Sequence, residues 1–72
     1  MQYYKNLGGN SSIQAYEIGN DNIKVKFKDS LKVYTYSYRK AGAYHVERMK
    51  ELAQRGFGLN SYIMRYVKKL FD

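Results

Sequence analysis

Between Ile23 and Lys28 the chain alternates without error: Ile23, Val25 and Phe27 fall on one parity, Lys24, Lys26 and Lys28 on the other. A period of two marks a strand with one buried and one solvated face. A run before it, SIQAYEI at residues 12–18, stops at Gly19-Asn20-Asp21-Asn22, a cluster of turn formers. Asp29-Ser30 supplies the next turn, and a third strand extends to about Tyr38. Short connections predict an antiparallel meander with the 23–28 strand in the centre. Residues 1–11, interrupted by Gly8-Gly9-Asn10-Ser11, show no sustained period and read as a flexible N-terminal arm.

After Gly42 the period changes. Val46, Met49, Leu52 and Ala53 form a helical stripe, with Glu47, Arg48, Lys50, Glu51 and Arg55 on the remaining surface. Gly56 suits the C-terminal end of that helix. Asn60 or Ser61 is a candidate cap for a second helix with Ile63, Val67 and Leu70 as its buried stripe. Gly56-Phe57-Gly58 then reads as a link between helices, with Phe57 tucked beneath it. The fold class expected is α+β: a three-stranded antiparallel meander followed by two helices on one sheet face, a single domain over residues 12–72. An SH3-like barrel would leave the two helical patterns unexplained.

The stretch VYTYSY, residues 33–38, places Tyr34, Tyr36 and Tyr38 on one strand face. Hairpin parity determines which face that is, because opposed residues share a side. A two-residue loop at Asp29-Ser30 opposes Val25 to Tyr34 and Ile23 to Tyr36, and a four-residue loop opposes Phe27 to Tyr34. Both turn the tyrosines toward the apolar side. A three-residue loop would oppose Lys26 to Tyr34 and build a basic aromatic platform. It would also ask Leu31 for a positive φ, which a bulky residue resists. The tyrosines are therefore expected in the core.

Composition narrows the chemistry. At 72 residues without cysteine, the chain has no disulfide or thiol to rely on, and nine tyrosines supply bulk for a small core. No apolar run of membrane-spanning length and no leader pattern is present, so the expected setting is cytoplasmic, without membrane contact. His45, the sole histidine, has no cysteine or clustered acid to complete a metal site, and no positioned partner for general-base work. No catalytic constellation can be assembled, so neither an enzyme nor a cofactor is expected. Thirteen Lys and Arg against six Asp and Glu give a net charge of +7, and an anionic partner follows. The Lys24, Lys26 and Lys28 row leads the candidate contacts, with Lys32, Arg39 and Lys40 at its borders. A central strand has no open edge for lysines to guard against aggregation, which leaves anion binding or plain solvation as their role.

Ser12-Ile13, Tyr16, the Ile23/Val25/Phe27 alternation, the Tyr34-x-Tyr36 pair, Gly56, Asn60 and Ile63 together carry a resemblance to a known family. From Ser12 to about Tyr66 the chain resembles the KTSC domain, found at the C-terminus of some lysyl-tRNA synthetases and as a stand-alone bacterial protein. The resemblance implies the α+β fold and tilts the partner toward RNA rather than DNA; it transfers no site residue. The expectation is a small non-enzymatic domain binding nucleic acid with low sequence specificity. A protein-interaction module using Val33 or Tyr62 is the alternative.

Overall fold

The computed structural model describes residues 1–9 and 11–72. The alternating run forms β3 (Asn22–Phe27), flanked by β2 (Ile13–Ile18) and β4 (Val33–Ser37) in an antiparallel meander, so β3 is interior as expected. The sheet has a fourth strand, β1 (Gln2–Tyr3), which pairs with β2 through Gln2 with Tyr16 and Tyr3 with Ala15. Helix α1 (Ala43–Arg55) packs on the apolar side of the sheet. Helix α2 (Leu59–Tyr62) follows after two residues at positive φ, Gly56 and Gly58, and continues directly into a π-helical stretch, Ile63–Val67.

The N-terminal segment is thus not an arm. Beyond its two paired residues, Tyr4 is buried in the core cluster, and its backbone N–H donates to the Gln14 carbonyl at 2.9 Å. The Tyr4 hydroxyl accepts from the Leu59 N–H at 3.2 Å, satisfying an otherwise free donor at the start of α2. Leu7 N–H donates to the Gly56 carbonyl at 2.8 Å, although its own side chain is exposed. Two strand residues are too short for a periodicity signal, and the packing depends on a single ring. Asn10, within the expected arm, lies outside the described residues.

The pairing of β3 with β4 sets Ile23 opposite Tyr36 and Val25 opposite Tyr34, the register of the two-residue loop. The strands nevertheless separate early. Residues 28–32 lie outside both strands, and the turn is held by Ser30 N–H to the Phe27 carbonyl and Lys32 N–H to the Ser30 hydroxyl. Asp-Ser lacks the glycine of a tight hairpin, and the wider connection keeps the register without any positive φ there. Tyr36 is 2% exposed and Tyr34 packs against the core edge. Tyr38 departs from the expectation: it lies past the end of β4 and is exposed.

In β2, Ile13 and Tyr16 are three residues apart, so a regular strand would point them to opposite sides. A bulge between Ile13 and Ala15 shifts the register by one residue, and both side chains are buried. The stripe of α1 is the one expected: Val46, Met49, Leu52 and Ala53. Gly56 ends it in the left-handed conformation at φ 76, donating to the Leu52 and Ala53 carbonyls. A Cβ at Gly56 would also stand 2.6 Å from that of Lys5, so the docked N-terminus and the helix end require the same glycine.

The second helix differs from its expected form. It starts at Leu59, and neither Asn60 nor Ser61 caps it; the Asn60 amide oxygen instead accepts from the Ser12 hydroxyl at 3.0 Å. Ile63 and Val67 are buried as expected. The helix stops at Val67, which leaves Leu70 at the surface, and Phe71 takes the core position, edge-on to Tyr34 and Tyr36. Phe57 is exposed rather than tucked under the link.

Two consequences can be measured. Deleting residues 1–9 should lower Tm by more than about 10 °C, because losing a buried aromatic ring costs roughly 3–5 kcal/mol and 1 kcal/mol is worth about 4–8 °C at this size. A drop smaller than about 5 °C would show that Tyr4 is not needed. For Tyr36, replacement by Ala should cost roughly 3–5 kcal/mol in urea unfolding. Burial, with a contribution from neighbouring Tyr34, pushes the Tyr36 hydroxyl up to about 12. The neutral phenol is therefore favoured in the native state, so its stabilisation is complete below pH 10 and is lost as pH rises from about 10 to 12. Tyr36→Phe should remove that part of the alkaline destabilisation; an unchanged alkaline profile would mean the hydroxyl titrates as if in water.

Candidate nucleic-acid interface

The sheet face opposite the helices carries the residues of the other parity. From the strand register it consists of Glu17 beside Lys24 beside Thr35, then Ala15 beside Lys26 beside Val33, with Asn22 beside Ser37 at one end. Tyr3, opposite Ala15, extends the second row onto β1 with its ring exposed. The core cluster draws on Ile23, Val25 and Tyr36 of β3 and β4, so the lysine parity is the outer one. Within β3, alternate residues stand about 6.6 Å apart.

The six cations singled out by the sequence do not converge on one point. Lys24 and Lys26 share the outer face of β3, and Lys28 lies just past the strand in the turn. Lys32 is in the same β3–β4 connection. Arg39 and Lys40 follow β4 at the opposite end of the sheet, where Asp72 lies beside them. Together they form a band running along the strand direction.

Neighbouring groups moderate two of these charges. Lys24 Nζ is 3.8 Å from the Glu17 carboxylate, with the two side chains 44% and 54% exposed. That pair is too solvated to hold either group firmly. Lys26 Nζ donates to Gln14 Oε1 at 2.6 Å, which orients the ammonium without neutralising it. Strand 23–28 has no acid of its own to alternate with its lysines; the one that offsets them comes from β2 across the sheet. Lys28, Lys32, Arg39 and Lys40 are exposed.

Acids on α1 are engaged elsewhere. Glu47 accepts from Tyr38 and is 2.8 Å from Lys50 Nζ; hydrogen bonds from Lys50 first, then Tyr38, hold its carboxyl below the usual range. The same bond to Glu47 raises the Tyr38 hydroxyl above its ordinary value. Lys50 also donates to the Asn20 carbonyl at 2.9 Å and stands over the Tyr38 ring, tying α1 to the β2–β3 turn. Glu51 is paired with Arg48.

A second group of side chains lies on the helices, and of its members the sequence reading singled out only Tyr62 as a candidate contact. In the first turn of α1, Tyr44 meets His45, and His45 meets Tyr62 and Tyr66 from the second helix. His45 Nδ1 and the Tyr62 hydroxyl are 2.6 Å apart. The available signal was the Tyr62/Tyr66 spacing of four residues, which aligns two rings on one helix face. Their juxtaposition with Tyr44 and His45 depends on how the helices cross, which periodicity does not encode. Among the described residues no group of three His, Cys, Asp or Glu side chains could hold a metal ion. No helix among them is long and apolar enough to cross a membrane.

Compared with family models, with curated proteins and with solved structures, the chain matches none.

Proposed function

We propose that the protein is a small non-enzymatic domain that binds nucleic acid, RNA ahead of DNA, through the cationic band of its outer sheet face. The observation that carries this reading is the position of β3. It is an interior strand, so Lys24 and Lys26 guard no open edge, yet they stand on the face that the helices leave to solvent. Lys28 and Lys32 extend the band at one end, Arg39 and Lys40 at the other. A net charge of +7 supplies long-range attraction for a polyanion. The likeness to the KTSC domain favours RNA. Contacts of this kind are to phosphates, so sequence preference should be weak.

A protein-binding reading has one observation in its favour. Phe27, Tyr34, Met64 and Phe71 line an open groove of about 600 Å³ with Lys68 and Lys69 at its rim. This groove, rather than Val33 or Tyr62, is the apolar surface such a partner would use. Salt separates the two readings: phosphate binding weakens steeply as salt rises, whereas apolar contact persists.

Binding of a single-stranded RNA should therefore fall log-linearly with salt, each phosphate contact adding about 0.7 to the slope. Changing Lys24, Lys26 and Lys28 together to Gln should preserve the fold and flatten that slope by up to about 2. The Lys68/Lys69→Gln variant removes two charges from the helix end that lines a groove with Phe27 and Ser30, and should flatten the slope less for each charge removed; an equal loss per charge would mean diffuse attraction without a site. Absence of binding by the wild type at low salt would overturn the reading. Glu17→Gln removes the acid that faces Lys24, and should raise affinity about two- to five-fold at low salt, the scale of an exposed ion pair. An unchanged or weaker affinity would place the bound strand away from β2 and β3.

A further inference from the structure

The rings of Tyr44, His45, Tyr66 and Tyr62 form a continuous set. Tyr44 meets His45 edge-on at 5.5 Å, His45 stacks on Tyr66 at 6.0 Å with 23° between planes, and Tyr66 lies 4.8 Å from Tyr62. The contact between His45 and the Tyr62 hydroxyl ties the start of α1 to the second helix, which fixes the inner pair of rings. The outer pair is different. Tyr44 is 78% exposed and Tyr66 52% exposed, and neither belongs to the core cluster. Helix packing accounts for His45 and Tyr62, but it does not require two large rings left in water on the same cluster.

Charge and position narrow what those rings could receive. Arg39 and Lys40 enter α1 just before Tyr44, and four residues of chain keep Lys40 within about 14 Å of it. Arg65 adjoins Tyr66 in sequence and is exposed. The acids on the same stretch of α1 are engaged, Glu47 by Lys50 and Tyr38 and Glu51 by Arg48. Asp72 lies beside Arg39 and Lys40 but is bonded to the Thr35 backbone and the Ser37 hydroxyl; exposed π-faces near these cations suit a chain of alternating bases and phosphates. A buried apolar partner would find polar hydroxyls and an imidazole instead.

We propose that Tyr44 and Tyr66, held in place by His45 and Tyr62, form a stacking platform for unpaired bases of single-stranded RNA, with Arg39 and Lys40 on the adjoining phosphates. This rests on the nucleic-acid reading above and adds to it a contact that is not electrostatic. Lys40 ends the band within about 14 Å of Tyr44, as four residues of chain dictate, so a strand that follows the band has the rings within reach. Base–aromatic stacking is tolerant of sequence and worth about 5- to 140-fold in affinity per base.

The two contributions separate by probe and by salt. The test uses an oligoadenylate of roughly 8 nucleotides, within the span one small fold covers, and inorganic polyphosphate of matched charge, which has no bases. Wild-type protein should bind the oligoadenylate at least about 5-fold more tightly than the polyphosphate. In Tyr44→Ala/Tyr66→Ala that advantage should vanish while the salt slope stays unchanged, and Tyr44→Phe/Tyr66→Phe should keep it. On the wild type, NMR ring-proton signals of Tyr44 and Tyr66 should move upfield with oligoadenylate and not with polyphosphate, a readout that needs no variant to fold. Binding of neither probe would overturn the nucleic-acid reading and the platform with it. Equal affinity for both probes, or a double-Ala variant that keeps its preference for bases, would overturn the platform alone.

Discussion

The pairing of Ile23 with Tyr36 across β3 and β4 is the contact on which the rest of the molecule depends. Side chains on a sheet alternate with period two, so this one pair assigns every residue of both strands to a face. It brings Ile23, Val25 and Tyr36 under α1 and sends Lys24 and Lys26 to the opposite side. A slip of one residue would put the rings and the ammonium groups on the same face, so that either the rings leave the core or the charges enter it. The cost of an unpaired buried charge makes that alternative far less stable. Core and candidate binding face are therefore two consequences of a single register.

A chain of 72 residues without disulfides has little apolar surface to spare. It compensates with rings. Tyr36 fills the centre, Tyr16 and Tyr4 close the β1–β2 side, and Phe71 folds back onto Tyr34 and Tyr36 from beyond the second helix. Tyrosine suits this arrangement because its hydroxyl can end at a polar group or at the rim, as Tyr4 does against the Leu59 N–H. The two ends of the chain are accordingly built into the domain. Tyr4 supports the start of α2, and Asp72 bonds both the Thr35 backbone and the Ser37 hydroxyl on the edge strand β4.

The division between faces also divides the two kinds of contact proposed for nucleic acid. Cations stand on and beside the sheet, where among the described residues the exposed rings are Tyr3 on β1 and Tyr38 just past β4. Aromatic rings stand on the helices, where α1 and the second helix cross. The platform raised by the tyrosine repeat in VYTYSY is therefore not built from that repeat. Tyr34 and Tyr36 are committed to the core, and the rings of the platform proposed above are those of Tyr44 and Tyr66. Arg39 and Lys40, at the junction of β4 and α1, belong to the borders of both regions.

Sequence by itself determined the elements with strong period: β3 and its two neighbours, the four-residue stripe of α1, the αL glycine at its end, and the inward parity of Tyr34 and Tyr36. Each of these follows from local rules, namely side-chain alternation, helical spacing and the φ that a residue tolerates. It also determined the charge excess and the identity of the six candidate cations. Tertiary structure alone decided what depends on distant partners. Gln2–Tyr3 is a strand because β2 offers it an unpaired edge, and the β2 bulge exists because Ile13 and Tyr16 must both reach the same core. Glu17 tempers Lys24 only through strand pairing, and His45 meets Tyr62 and Tyr66 only because two helices cross. These contacts join residues far apart in the chain, where no spacing rule operates and only the packing of whole elements fixes the neighbours.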